Sequence, residues 1–120
     1  MEIAKISYIR QEQLSRRTEY FILDCENQQI EVYHSLLGKP KLIHLEPIES
    51  EVALEKILSI MFEWKSYYEN SNAIDGFKWR VLVETKEQEK IEYSGQNELP
   101  MNFNQMQEIM EEMTAVEDEI

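Results

Sequence analysis

The chain has 120 residues, with 12 Lys and Arg against 24 Asp and Glu, a formal net charge of −12 and a single cysteine. That length suits one domain with a core of its own, and one cysteine excludes a disulfide framework. The acidic balance speaks against nucleic acid or anionic membrane as a ligand, because affinity for phosphates rests on Lys and Arg releasing counterions.

The charge is unevenly placed. Residues 1 to 48 carry six basic and seven acidic side chains, whereas residues 49 to 120 carry six basic and seventeen acidic. An excess of that kind serves solubility or offers a surface to a basic partner. The opening MEIAKISYIRQEQ contains no apolar run of signal-peptide or membrane-span type, so a cytoplasmic protein is expected.

Ile3 to Arg10 reads as a strand and Gln11 to Arg17 as a polar connection. The apolar run from Tyr20 to Cys25 and the alternation of Ile30, Val32 and His34 flank a four-residue polar segment, which predicts an antiparallel hairpin. Gly38, Lys39 and Pro40 break the chain; Lys41 to Leu45 is a fourth short strand, ended by Pro47.

Ser50 to Glu69 is the longest apolar segment, and its helical spacing predicts a central helix with Ser50 as cap and Glu51 in the first turn. Its apolar residues cover roughly 220° of arc, against the ~100° needed to lie on one surface. A helix covered on two sides, with Ile57, Met61 and Trp64 buried, is therefore expected. Ser71 to Gly76 is loop chemistry. Phe77, Trp79, Val81 and Val83 alternate with polar neighbours, and Ile91 and Tyr93 resume that period after a charged loop, giving a second hairpin. Gly95 and Pro100 bracket a turn, Asn102 is a cap, and Phe103, Met106, Ile109, Met110, Met113 and Val116 share an arc of about 140°, suited to one-sided packing. The expected fold is one α+β domain. An antiparallel sheet of about five to six strands packs with a long central helix, about 50 to 69, and a C-terminal helix, about 102 to 116, before a frayed acidic tail at 117 to 120.

From Trp79 to Phe103 the chain reads Trp79-x-Val81-x-Val83, Ile91-x-Tyr93-Ser94-Gly95-x-Asn97-x-x-Pro100-x-Asn102-Phe103, followed by an amphipathic helix. This resembles a pattern in small, mostly uncharacterised bacterial α+β proteins. The resemblance covers about a third of the chain. It implies an architecture, a hairpin feeding a helix through a tight turn, and carries no activity with it.

Common catalytic templates find little material in two His, one Cys and three Gly. There is no phosphate-cradling glycine loop, no zinc-type ligand spacing and no EF-hand loop, so no cofactor or metal is expected. His34 and His44, with Glu31 or Glu46, are the only metal set worth weighing, and two isolated histidines in strand patterns read as structural. Cys25 reads as a small buried side chain, since no neighbour would activate its thiol. Met101, Met106, Met110 and Met113 would make an adaptable face if exposed, but their spacing favours burial.

Carboxylates are so frequent that a pair at glycosidase spacing carries no information. What stands out is Glu108, Glu111, Glu112, Glu117, Asp118 and Glu119 toward the end of the last helix, where the helix dipole disfavours negative charge by about 0.3 to 1 kcal/mol each. The functional expectation is a non-enzymatic module that binds a basic protein, such as an inhibitor or immunity-type factor, with Glu108, Glu111, Glu112, Asp118 and Glu119 as the contacting ridge. The alternative is a small-ligand domain or minor enzyme using an aromatic pocket at Trp64, Tyr67, Tyr68 and Trp79.

Overall fold

A computed structural model describes residues 2–35, 38–70 and 76–115. Seven strands form a single sheet and two helices pack on one of its faces, an α+β arrangement. The strands are β1 (Ile3–Glu12), β2 (Thr18–Asp24), β3 (Gln29–His34), β4 (Lys41–His44), β5 (Tyr67–Glu69), β6 (Phe77–Thr85) and β7 (Lys90–Gln96). The helices are α1 (Pro47–Met61) and α2 (Phe103–Ala115). The sheet order is β4-β3-β2-β1-β6-β7-β5. Every neighbouring pair is antiparallel except β5 and β7, which run parallel, so the sheet is mixed rather than purely antiparallel.

Both expected hairpins form. In the first, Phe21 opposes Val32 and Leu23 opposes Ile30. The Asp24 carboxylate closes its turn by accepting from the backbone amides of Glu26 and Asn27 and from the Asn27 side chain at 2.8–3.1 Å. In the second, Val81 opposes Tyr93 and Val83 opposes Ile91. Period-two alternation sends Ile6, Tyr8, Phe21, Leu23, Ile30, Trp79, Val81 and Val83 to the helix-covered face, where all are buried.

The central helix differs from the expected 50 to 69 at both ends. It starts earlier, with Pro47 at a first-turn position, where its missing amide costs nothing, and with the Glu49 carboxylate accepting the Glu46 amide at 3.1 Å. Ser50 is thus inside the helix and buried, its hydroxyl donating to the Pro47 carbonyl at 2.9 Å. The helix ends at Met61 because the chain turns there. The Trp64 amide bonds the Met61 carbonyl at 3.0 Å, and the Asn102 side chain takes the Ile60 carbonyl at 2.8 Å. Residues 67–69 then gain a parallel ladder with Ser94, Gly95 and Gln96, which supplies the unexpected seventh strand.

With residues 62–69 removed, the wide apolar arc disappears. Ala53, Ile57, Ile60 and Met61 face the sheet, while Ile48 and Val52 are exposed on the flank toward α2 and Phe62 is exposed just past the helix end, so α1 is covered on one side. Ile57, Met61 and Trp64 are buried as expected. The helix joins the two edge strands, β4 and β5, and so must cross six strand spacings, about 29 Å. Fifteen helical residues supply roughly 22 Å and the short connections on either side of the helix supply the rest.

The C-terminal helix lies within a residue of its expected start. Phe103, Met106 and Met110 are buried beneath it and Met101 is fully exposed. Tail residues 116–120, including Val116, Glu117, Asp118 and Glu119, lie outside the described residues.

Candidate functional site: the helix layer

The two helices carry six carboxylates, Glu49, Glu51, Glu55, Glu108, Glu111 and Glu112, against the single cation Lys56. The seven strands carry six basic and seven acidic side chains. Charge is therefore balanced in the sheet and strongly negative in the helix layer. Several sheet charges are paired across strands, Arg80 with Glu92 at 3.6 Å and Lys90 with Glu84 at 4.0 Å.

Glu108, Glu111 and Glu112 are all exposed. Helical spacing spreads them over the outer arc of α2. Glu112 lines a cleft toward α1, whereas Glu111 lies on the opposite flank, over β2 and β3, with the Gln107 amide 3.5 Å from its carboxylate.

Antiparallel α1 and α2 are pinned together at one end by Asn102. Its side chain accepts from the Trp64 indole N–H at 2.6 Å and donates to the Ile60 carbonyl. The carboxamide expected to cap α2 thus spans the two helices instead. Away from this pin the helices leave a cleft of about 550 Å³. Ile43, Leu45 and Ala53 lie at its base, Ile48 and Val52 on the α1 wall, and Ile109 and Met113 on the α2 wall, with Glu49, Glu112, Lys56 and His44 at its margins. Ile48 and Val52 are 70% and 45% exposed, so the cleft is open to solvent. A smaller hollow of about 130 Å³ lies on the other flank of α2, lined in part by Tyr8, Glu19, His34, Gln107 and Glu111. Burial, with the Glu19 carboxylate 3.4 Å away, pushes the Tyr8 phenol far above its ordinary value.

The aromatic residues occupy a different place. Trp64, Tyr68 and Trp79 pack with Tyr93 and Phe103, and ring centroids along this network are 5.7–6.1 Å apart. Both indoles are buried and satisfied, Trp79 by the Glu98 carbonyl at 2.6 Å. Tyr67, 51% exposed, alternates onto the other face of the sheet. The four residues of the expected aromatic pocket are thus divided between a packed cluster and the far side of the sheet.

His44 opposes Gln29 at one end of β3 while His34 lies at its other end, so the two histidines do not face each other. Among the described residues no cluster of His, Cys, Asp or Glu is placed to hold a metal ion, and no helix is long and apolar enough to cross a membrane. Cys25 is half-buried; burial pushes its thiol up, and Asp24 and Glu26 add to this against Lys86. On the open face of the sheet, the hydrogen bond from the Tyr20 hydroxyl to Glu31, with burial adding to it, pushes that phenol up to about 12.

The α2 carboxylates stand out in the sequence, whereas the cleft beside them does not. Its only local signal is Ile48 and Val52, one turn apart on a helix whose inward face is already filled by Ala53 and Ile57. Compared with family models, curated proteins and solved structures, the chain matches none.

Proposed function

We propose that the protein is a non-enzymatic binding module whose helix layer docks a basic protein. It would act as an inhibitor or immunity-type factor that covers a nucleic-acid-binding surface of its target. The observation that carries this reading is the segregation of charge, six carboxylates and one cation on the helices above a balanced sheet. Helix stability accounts for Glu49, which caps the first turn of α1, but not for the carboxylates that follow. Glu51 with Glu55, and Glu108 with Glu112, are like-charge pairs one turn apart, each unfavourable by about 0.2 to 0.5 kcal/mol. Glu111 and Glu112 also sit near the C-terminus of α2, where the dipole opposes them. A field of one sign on one layer steers oppositely charged partners and rejects nucleic acid itself.

The test uses the protein as bait in a lysate of its native host, at low and high salt, beside a variant carrying Glu108→Gln, Glu111→Gln and Glu112→Gln. Basic proteins retained by the wild type at low salt should be lost from the variant. Recovery of the same proteins by both baits at both salts would reject the reading.

A further inference from the structure

The cleft between α1 and α2 combines features that the carboxylates alone do not explain. Its walls are apolar, Ile48 and Val52 facing Ile109 and Met113, and two of these residues are 70% and 45% exposed without any covering segment among the described residues. Isolated apolar side chains on a surface are ordinary; four that converge on one open volume of about 550 Å³ form a receptor-like groove. We infer that this groove receives the apolar face of an amphipathic helix whose flanks bear Lys or Arg. The inference rests on the helix-layer reading above and specifies the partner's chemistry.

Length and charge both point to that occupant. Ile48 to Lys56 is eight helical rises along α1, about 12 Å. That accommodates anchors at i, i+3 or i+4, and i+7, the spacing by which a helix lies in a groove. Met113, unbranched and polarizable, lets one wall adapt to the anchor shape. Glu49 and Glu112 stand on opposite walls, and Glu108, Glu51 and Glu55 continue the negative field outward, with Lys56 the only helix-layer cation nearby. Cations on both flanks of an apolar stripe would meet carboxylates on both sides. A second copy of this chain, itself at −12, would bring like charge to the same rim.

The probe is a synthetic 18-residue Leu/Lys amphipathic helix, titrated into the ¹⁵N-labelled full chain, beside a peptide with the same lysines and serine in place of leucine. Backbone amides of Val52, Lys56, Ile109 and Met113 should shift, and the serine peptide should bind at least tenfold more weakly. Val52→Ser with Met113→Ser should weaken the Leu/Lys peptide about tenfold at low and high salt alike, whereas Glu49→Gln with Glu112→Gln should weaken it at low salt only. Both wall positions are partly exposed, so the variants should fold; if the serine pair does not, the two-peptide comparison and the shift map decide alone. Equal binding of the two peptides, or salt-sensitive binding that leaves the cleft amides unmoved, overturns the inference while the helix-layer reading stands. Cleft shifts produced by concentrating the protein alone, with a dimer in sedimentation, assign the groove to a second copy and also overturn it. Failure of both peptides at low salt rejects the inference and the helix-layer reading together.

Discussion

Replacing Gly95 with alanine tests the packing that holds the helices to the sheet. A Cβ at this position would collide with Trp79 Nε1 and stand 2.8 Å from its Cε2 and 2.9 Å from the Glu98 carbonyl oxygen. The backbone cannot yield easily, since Gly95 is paired with Trp79 on one side and with Tyr68 on the other. The Trp79 indole would have to move, straining its 2.6 Å bond to Glu98 and its contacts with Trp64, Tyr68 and Phe103. Overpacking costs about 1 to 3 kcal/mol and a weakened hydrogen bond about 1, against a gain of about 0.4 to 1 from a stiffer unfolded chain. The net loss is about 2 kcal/mol, which at ~4 °C per kcal/mol for a chain of this size lowers Tm by roughly 8 °C. Thermal and urea unfolding followed by tryptophan fluorescence would read it. Gly38→Ala is the control: Gly38 has φ +79° and nothing within 4 Å of a would-be Cβ, so only left-handed strain of about 1 kcal/mol applies. A Gly95→Ala protein as stable as the wild type, or less affected than Gly38→Ala, would refute the packing argument.

Asn102→Ala should cost about 1 to 3 kcal/mol, because it leaves the buried Trp64 indole N–H without its acceptor and removes the link to Ile60; unfolding midpoints and a red-shifted tryptophan emission would report it. Asp24→Ala should destabilise the first hairpin by about 1 kcal/mol, as loss of a side-chain cap does. Burial alone would raise the Asp24 carboxyl, but its bonds from Asn27 and Glu26, helped by Lys5, hold it below its ordinary value. Its contribution is thus present above the unfolded-state pKa and fades as pH falls through the folded one, so wild type and Asp24→Ala should converge in stability at low pH. Cys25 should react with iodoacetamide more slowly at neutral pH than an unstructured thiol, and reach that thiol's rate in urea.

Much of the sheet was legible because alternation is local. Phe77 to Val83 and Ile30 to His34 announce their strands within a few residues, and the polar segments between runs announce the hairpins. The end of α1 was not legible, since Trp64, Tyr67 and Tyr68 keep helical spacing and the groups that redirect them are remote in sequence. Asn102, 38 residues beyond Trp64, receives its indole, and Ser94 to Gln96 provide the ladder that turns Tyr67 to Glu69 into strand. The α2 carboxylates could be found from composition and helical phase. The cleft could not: Ile48 and Val52 read as ordinary apolar residues until α2 is placed alongside, bringing Ile109 and Met113 opposite them.

The central claim is that the helix-layer carboxylates steer a basic protein. Its most direct test is the stopped-flow association rate of the captured partner as a function of ionic strength, for the wild type and for Glu108→Gln/Glu111→Gln/Glu112→Gln. Steering of this kind raises association by about 10-fold or more and decays as the Debye length falls below about 10 Å. The wild-type rate should therefore drop steeply with salt, the variant should be slower at low salt with a shallower slope, and the two should converge at high salt while dissociation changes less. Equal rates and equal salt slopes for the two proteins would contradict the account and leave the acidity of the helices to solubility.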